Sequence, residues 1–212
     1  IGARPVWIAA STHQGEDEQV LQAMAKLLEQ LPDSLLILVP RHPQRFDSVA
    51  KLCLAQGWNT SRRSRQEEIT ASTQIYLADT MGEMPLLLQM SDVTFIGGSL
   101  VPVGGHNLLE PASLGKPTLI GPHSFNFSDV TRQLCDQDAC IQVADVAALA
   151  GAEELRRAVL DNLVNQRLKV HALLFQSRMG KAHLTPHRRV FTLLSPDQAM
   201  SRLCCCASSA WS

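Results

Sequence analysis

The chain has 212 residues, a formal net charge of −1, 45% hydrophobic and 18% charged residues. That length suits one or two domains and that composition excludes a disordered polymer. The near-zero charge gives no electrostatic argument for a nucleic-acid partner, and no apolar run approaches the roughly 18 to 20 residues of a membrane-spanning helix.

The start, Ile1-Gly2-Ala3-Arg4-Pro5, leads into a strand and not into a secretory signal. There is no initiating Met, so the chain is expected to be a piece of a longer protein. Pro5 to Ala10 is a short apolar strand that ends in the polar loop Ser11-Thr12-His13-Gln14-Gly15. From Glu16 the apolar positions Val20, Met24, Leu27, Leu28 and Leu31 have helical spacing, until Pro32-Asp33 breaks it. Leu35 to Val39 is a continuous apolar run with the character of a buried parallel strand. It ends in Pro40-Arg41-His42-Pro43, and a second helix is expected to about Gln56.

Trp58 to Arg62 is a short strand candidate, and the charged stretch Arg62 to Thr70 is expected to be an exposed loop. Gln74 to Leu77 predicts a strand ending at Asp79-Thr80-Met81-Gly82-Glu83, and Pro85 opens a helix to about Met90. Val93 to Ile96 is the next strand, followed by a loop with four glycines between Gly97 and Gly105. A short helix over Leu108 to Leu114, a strand over Thr118 to Ile120, a helix over Asn126 to Cys135 and a strand over Ile141 to Val143 complete the pattern, with helix from Val146.

Short apolar strands alternating with helices predict an α/β fold: a Rossmann-like parallel sheet with helices on both faces. Ligands of such sheets bind beyond the carboxyl ends of the strands. The polar and glycine-rich segments fall there: Ser11 to Glu16, Arg41-His42-Pro43, Asp79 to Glu83, and Gly97 to Glu110.

Each loop has a functional and a structural reading. Gly97-Gly98-Ser99 and Gly104-Gly105-His106-Asn107 precede a helix, where free N–H groups and the helix dipole favour a phosphate. Alternatively Asn107 caps the helix and Glu110 closes a capping box. Glu110 also suits a ribose diol, which donates two hydrogen bonds to a carboxylate. Ser11, Thr12, His13 and Gly15 offer hydroxyls and backbone donors to a phosphate, and Glu16 is counted with them in the candidate binding site; alternatively this loop caps the helix, where the dipole favours Glu16. Arg41 and His42 form a cation site for phosphate or carboxylate, or a solvated loop before Pro43. Gly82 and Glu83 are the weakest of the four loops. The spacing matches neither a Walker loop nor GxGxxG.

No metal site is expected. His13, His42, His106 and His123 lie in loops without i, i+4 spacing, and the cysteines fit neither zinc nor a disulfide framework. Cys53 is alone, Cys135 and Cys140 are five apart, and Cys204 to Cys206 are consecutive, which suggests reduced thiols in a cytosolic setting. No nucleophile with its base stands out.

In chain order, Ser11-Thr12-His13-Gln14-Gly15-Glu16, Arg41-His42-Pro43, Asp79-Thr80-Met81-Gly82-Glu83, Gly97-Gly98-Ser99, Gly104-Gly105-His106-Asn107 with Leu109-Glu110-Pro111, and Gly121-Pro122-His123 with Asn126-Phe127 resemble the C-terminal half of bacterial 3-deoxy-D-manno-octulosonic acid (Kdo) transferases. The resemblance covers about Arg4 to Val146 and rests on several ordered motifs. It implies one half of a GT-B glycosyltransferase, in which this domain binds the donor, CMP-Kdo, without a cofactor. The glycine loops and Ser99 would hold the CMP phosphate, Glu110 the ribose, and Arg41 and His42 the donor pocket. The N-terminal half would bind a lipid A precursor, carry the acidic base and anchor the enzyme at the cytoplasmic face of the inner membrane.

Residues 1–155 are therefore expected to form the donor-binding domain and residues 156–212 a helical, basic, divergent segment. Between Arg156 and Arg202 there are nine Lys or Arg and two acids. Three other readings remain at this stage: a related sugar-nucleotide enzyme such as a UDP-sugar epimerase, a non-catalytic nucleotide-binding module, and a structural domain whose glycines only turn the chain.

Overall fold

A computed structural model of the chain describes residues 4–149. The expectations for residues 156–212, including the cysteine triplet, lie outside the described residues. Seven strands form one parallel sheet in the order β3-β4-β2-β1-β5-β6-β7. They are β1 (Val6–Thr12), β2 (Leu35–Pro40), β3 (Thr60–Arg62), β4 (Ile75–Leu77), β5 (Val93–Ile96), β6 (Thr118–Ile120) and β7 (Cys140–Gln142). The helices are α1 (Asp17–Leu28), α2 (Phe46–Ala55), α3 (Met84–Met90), α4 (Leu109–Ser113), α5 (Ser128–Cys135) and α6 (Val146–Leu149).

Strand side chains alternate between faces, so each strand feeds two cores. Trp7, Ala9, Leu36, Leu38 and Phe95 pack with Val20, Met24 and Leu27 of α1 and Val49 and Cys53 of α2. Ile8, Ala10, Leu35, Ile37 and Val39 pack on the other face with Leu87 and Leu88 of α3. A third cluster joins Ile96 and Ile120 to Leu108, Ala112 and Leu134. All six residues of β2 are buried, as a central parallel strand requires.

The chain winds from β1 outward through β2 to β4 and β3, then returns to place β5 on the other side of β1. The strand order thus reverses between β1 and β5, the position where open α/β sheets form a ligand crevice.

Several boundaries differ from the sequence reading. α1 stops at Leu28, although Leu31 still packs against the core. The strand expected from Trp58 begins at Thr60, and the last one runs one residue earlier than Ile141–Val143. The helix expected from Asn126 begins as a 3-10 turn, Phe125–Phe127, because Asn126 is tied to the glycine loop: its N–H donates to Gly104 O and its Nδ2 to Val103 O. The charged stretch after Arg62 is only partly solvated. The Arg62 side chain is 14% exposed and pairs with Asp79 and Asp47, while Arg63 pairs with Glu83.

Among the described residues, no helix is long and apolar enough to cross a membrane.

Candidate functional site

The crevice lies where the end of β1 shifts its register against β2 while staying in contact with the end of β5. Ser11 has φ 63, and the β1–β2 register shifts between Ala10 and Thr12. Gly97 follows β5 at this point, where an added Cβ would lie 2.5 Å from Ser11 O. A left-handed serine and a bare glycine let the two strand ends cross in contact.

Beyond them lies a cleft of about 180 Å³. Ser11, Arg41, His106, Asn107 and Glu110 supply its polar lining, and Ala10, Met84, Leu88, Ile96 and Pro111 its apolar lining. Five of the expected site residues, from three separate loops, thus converge on one cleft. Met84 and Leu88 were not anticipated. Their sequence signal, an apolar helix starting after Glu83, is also the signal of an ordinary core helix. The Arg41 guanidinium makes no hydrogen bond or ion pair among the described residues, and the residue is exposed.

Three histidines lie beside the cleft. His13 Nε2 and His106 Nε2 are 2.7 Å apart, with the rings stacked at 5.0 Å and 13°. His42 meets His13 edge-on at 5.4 Å. Burial, then the charge of His13, Arg41 and His42, holds His106 down to about 4. His13 is lowered by burial and by His42, Arg45 and Arg41, against an opposing pull from Asp17. The His13 and His106 rings therefore resist protonation, and an anion beside them would relieve that resistance.

Arg45 is a separate case. Its Nη1 donates to Thr12 O at 2.7 Å and its Nη2 pairs with Asp17, whose other oxygen accepts from Thr12 Oγ1 at 2.7 Å. Burial pushes the Asp17 carboxyl up, and the bonds to Thr12 and Arg45 pull it back. Thr12 is fully buried in this arrangement.

The glycine loops are engaged with the protein itself. Glu16 is 0% exposed. Its Oε2 accepts from Gly98 N at 2.6 Å and His13 N at 3.1 Å. Its Oε1 accepts from Ser99 N at 3.1 Å and Leu100 N at 3.0 Å. Ser99 Oγ donates to Ile96 O at 2.5 Å and accepts from Gly121 N at 2.8 Å. The N–H groups of Gly104 and Gly105 both donate to Gly98 O, and that of Gly97 to Ala10 O. So the N–H groups that the sequence offered to a phosphate at Gly98, Ser99, Gly104 and Gly105 already have partners.

Asn107 Oδ1 accepts from Leu109 N at 3.0 Å, but Glu110 makes no return bond, so the capping box is not formed, and the Glu110 carboxylate lines the cleft without a hydrogen-bond or ion-pair partner among the described residues. Glu83 does not line the cleft. Arg63 and Thr80 bind it, and Arg63 draws its carboxyl down to about 2. Gly15 and Gly82 are exposed turn positions with φ 80 and 82, and Pro43 opens a short 3-10 turn. Among the described residues no group of three or more His, Cys, Asp or Glu could hold a metal ion.

No protein-family model matches the sequence. The chain is 44% identical over 164 residues to 3-deoxy-D-manno-octulosonic acid transferase of Haemophilus influenzae, a match covering 77% of this chain and 37% of that protein. Among solved structures it is similar to the C-terminal CMP-Kdo binding domain of WaaA from Acinetobacter baumannii, with 40% identity and a TM-score of 0.69 over 82% of this chain and 90% of that one. WaaG, a glycosyltransferase involved in lipopolysaccharide biosynthesis, shares the fold at a TM-score of 0.51 and 15% identity, over 84% of this chain and 44% of that one. The match thus spans little more than a third of the Haemophilus relative's length and nearly all of the separate WaaA domain. With a Rossmann-like sheet and its crevice at the strand-order reversal, this chain belongs to the 3-deoxy-D-manno-octulosonic acid transferase family and corresponds to its C-terminal domain.

Proposed function

We propose that this chain is the donor-binding half of an enzyme that moves Kdo from CMP-Kdo to a lipid A precursor in lipopolysaccharide core synthesis. The observation that carries the reading is the cleft at the β1–β5 reversal, where the Glu110 carboxylate, unpaired among the described residues, the Arg41 guanidinium and an apolar wall of Met84, Leu88 and Pro111 meet. A nucleoside phosphate has the matching parts. Glu110 accepts from the ribose diol. The base lies against Met84 and Leu88. Arg41 and the histidines face the phosphate and the donor carboxylate.

The cleft is smaller than the roughly 300 Å³ at which ligand pockets usually begin, as suits a wall that the N-terminal half completes. That half would bring the acceptor and the acidic base at the cytoplasmic face of the inner membrane. The base deprotonates an acceptor hydroxyl, which attacks the anomeric carbon as CMP departs, with inversion. CMP leaves readily because its phosphate is a weak base, so this domain contributes positioning and charge stabilisation. The step needs no cofactor.

Calorimetric titration of CMP and UMP into the chain tests the reading, with Glu110→Ala beside the wild type. CMP-selective binding that weakens in the variant is expected. A preference for UMP would favour a UDP-sugar enzyme of the same architecture. Absence of binding to a folded sample would overturn the claim that this domain holds the nucleotide unaided.

A further inference from the structure

The concave run of N–H groups at Gly98, Ser99 and Leu100 is an anion-binding nest of the kind that holds phosphates elsewhere. Here its occupant is a side chain from a loop 82 residues earlier. A carboxylate has about four lone-pair sites. Each oxygen of Glu16 accepts two N–H bonds: one from His13 and one from Gly98 on Oε2, and one each from Ser99 and Leu100 on Oε1. The loop after β1 and the loop after β5 are thus joined through one buried charge.

Those two loops carry the two rings of the histidine pair. Gly98 lies against both of them: an added Cβ would be 3.2 Å from His13 Cδ2 and 3.3 Å from His106 Nε2. Gly98 O also receives the N–H groups of Gly104 and Gly105, the residues just before His106. A shift of Gly98 therefore moves both the floor under the rings and the backbone leading to one of them.

We propose that Glu16 is a positioning residue for donor binding, an internal anion that locks the loops after β1 and β5 together and so holds His13 against His106 at the edge of the cleft. The proposal rests on the nucleotide reading given above. It has a corollary: with the nest filled, the donor phosphate is held by side chains and not by the glycine loop.

The test uses the full chain with Glu16→Gln, Glu16→Ala and Glu16→Asp. Gln is nearly isosteric but turns an amide N–H toward backbone N–H groups. Asp keeps the charge but is one methylene too short to span His13 N and Leu100 N. Three measurements are made on each: thermal unfolding, CMP affinity, and long-range proton–nitrogen spectra of His13 and His106. In a variant that unfolds cooperatively, CMP affinity is expected to fall by about tenfold or more, the equivalent of one charge-assisted hydrogen bond lost from the support of the site. Formate at about 100 mM, which fills a weak carboxylate site by mass action, is expected to restore part of the affinity in Glu16→Ala, whereas chloride at equal ionic strength is not. A merely structural role would lower thermal stability without moving the His13 and His106 spectra or the CMP affinity of the folded protein.

If Glu16→Gln does not fold, Glu16→Asp decides: wild-type affinity and unchanged histidine spectra in it overturn the proposal. The same outcome in folded Glu16→Gln overturns it too. Were the wild type itself to bind no CMP, the nucleotide reading would fail by itself, and the histidine spectra of the variants would still decide whether Glu16 holds the pair.

Discussion

Removing the titrating ring at position 106 should flatten part of the acid sensitivity of this domain. Folding takes His106 from an ordinary value of 6.5 to about 4, chiefly through burial. At full strength that difference is worth about 3 kcal/mol. The ring is only half-buried, so solvent screening leaves about 1 to 2 kcal/mol. The sign follows from proton uptake. Below pH 6.5 the unfolded chain binds a proton at this ring and the folded chain refuses it until about pH 4. The stability is therefore whole above pH 6.5 and is lost as the pH falls toward 4, with no further loss below that.

The variant is His106→Gln, whose amide reaches roughly to the position of Nε2 and does not titrate. Wild type and variant are unfolded in urea at pH 7.5 and pH 5. The wild type should lose about 1 kcal/mol more than the variant between the two, or roughly 2 to 4 °C in melting temperature for a chain of this size. Carboxylates held low, such as Asp79 by Ser64 and Arg62, also cost stability in acid. They do so in both proteins and cancel in the comparison. Identical pH slopes would refute the argument that the histidine pair is kept neutral by its surroundings. A bound phosphate should reverse the effect, since an anion favours the protonated ring. CMP binding is then expected to take up a proton at pH 6.5, and His106→Gln beside the wild type separates the ring's share from that of the phosphate, whose own pKa is about 6. Calorimetry in two buffers of different ionisation enthalpy measures that uptake.

Three further outcomes are expected. Gly97→Ala would press a methyl group to 2.5 Å from Ser11 O, where backbone meets backbone and no side chain can yield; urea unfolding should show a loss of about 3 kcal/mol, the upper range for overpacking, and a loss under about 0.5 kcal/mol would mean the strand ends are looser than described. Arg45→Ala leaves the buried Asp17 carboxylate with Thr12 alone and should cost about 3 kcal/mol by the same assay, unlike Arg132→Ala on the exposed face of α5, which should fall within about 0.5 kcal/mol. Iodoacetamide at pH 7.5 should label Cys135 first among the described cysteines, because a hydrogen bond from Cys140 draws its thiol down, while burial pushes Cys53 up to about 11 and Cys140 is raised by its bond to Cys135 and by burial; peptide mapping that finds Cys53 modified before Cys135 in folded protein would contradict this.

The order of strands and helices was legible because period and punctuation agree. Leu35 to Val39 has no polar residue to tilt it toward a surface, and Pro32-Asp33 and Pro40 bracket it. The convergence of Ser11, Arg41, His106, Asn107 and Glu110 was legible for a general reason: in a parallel sheet every strand delivers its following loop to the same edge. What escaped the sequence depends on contacts between distant segments. No local rule places Ser11 at positive φ. Met84 and Leu88 have the pattern of a core helix whether or not one end of it borders a cleft. Arg62 and Arg63 look like a solvated charge run until Asp79 and Glu83 meet them 17 and 20 residues on.

The glycine loop shows where sequence reasoning reaches its limit. Glycines before a helix state that N–H groups are being presented, and buried N–H groups must find an acceptor. They do not state whose acceptor it is. Here the acceptor is Glu16, which the sequence places at the start of its own helix and among the candidate donor-site residues. This changes the chemistry of the site. A backbone nest holds its partial positive charge at every pH, so a phosphate bound there would be nearly indifferent to acidity near neutrality. With the nest closed by Glu16, recognition of a phosphate at this cleft would pass to Arg41, which is always charged, and to His13 and His106, whose surroundings favour the neutral ring. Donor binding should therefore be linked to proton uptake near neutrality, and the extent of that linkage measures how far the side chains have replaced the backbone as the anion-binding element.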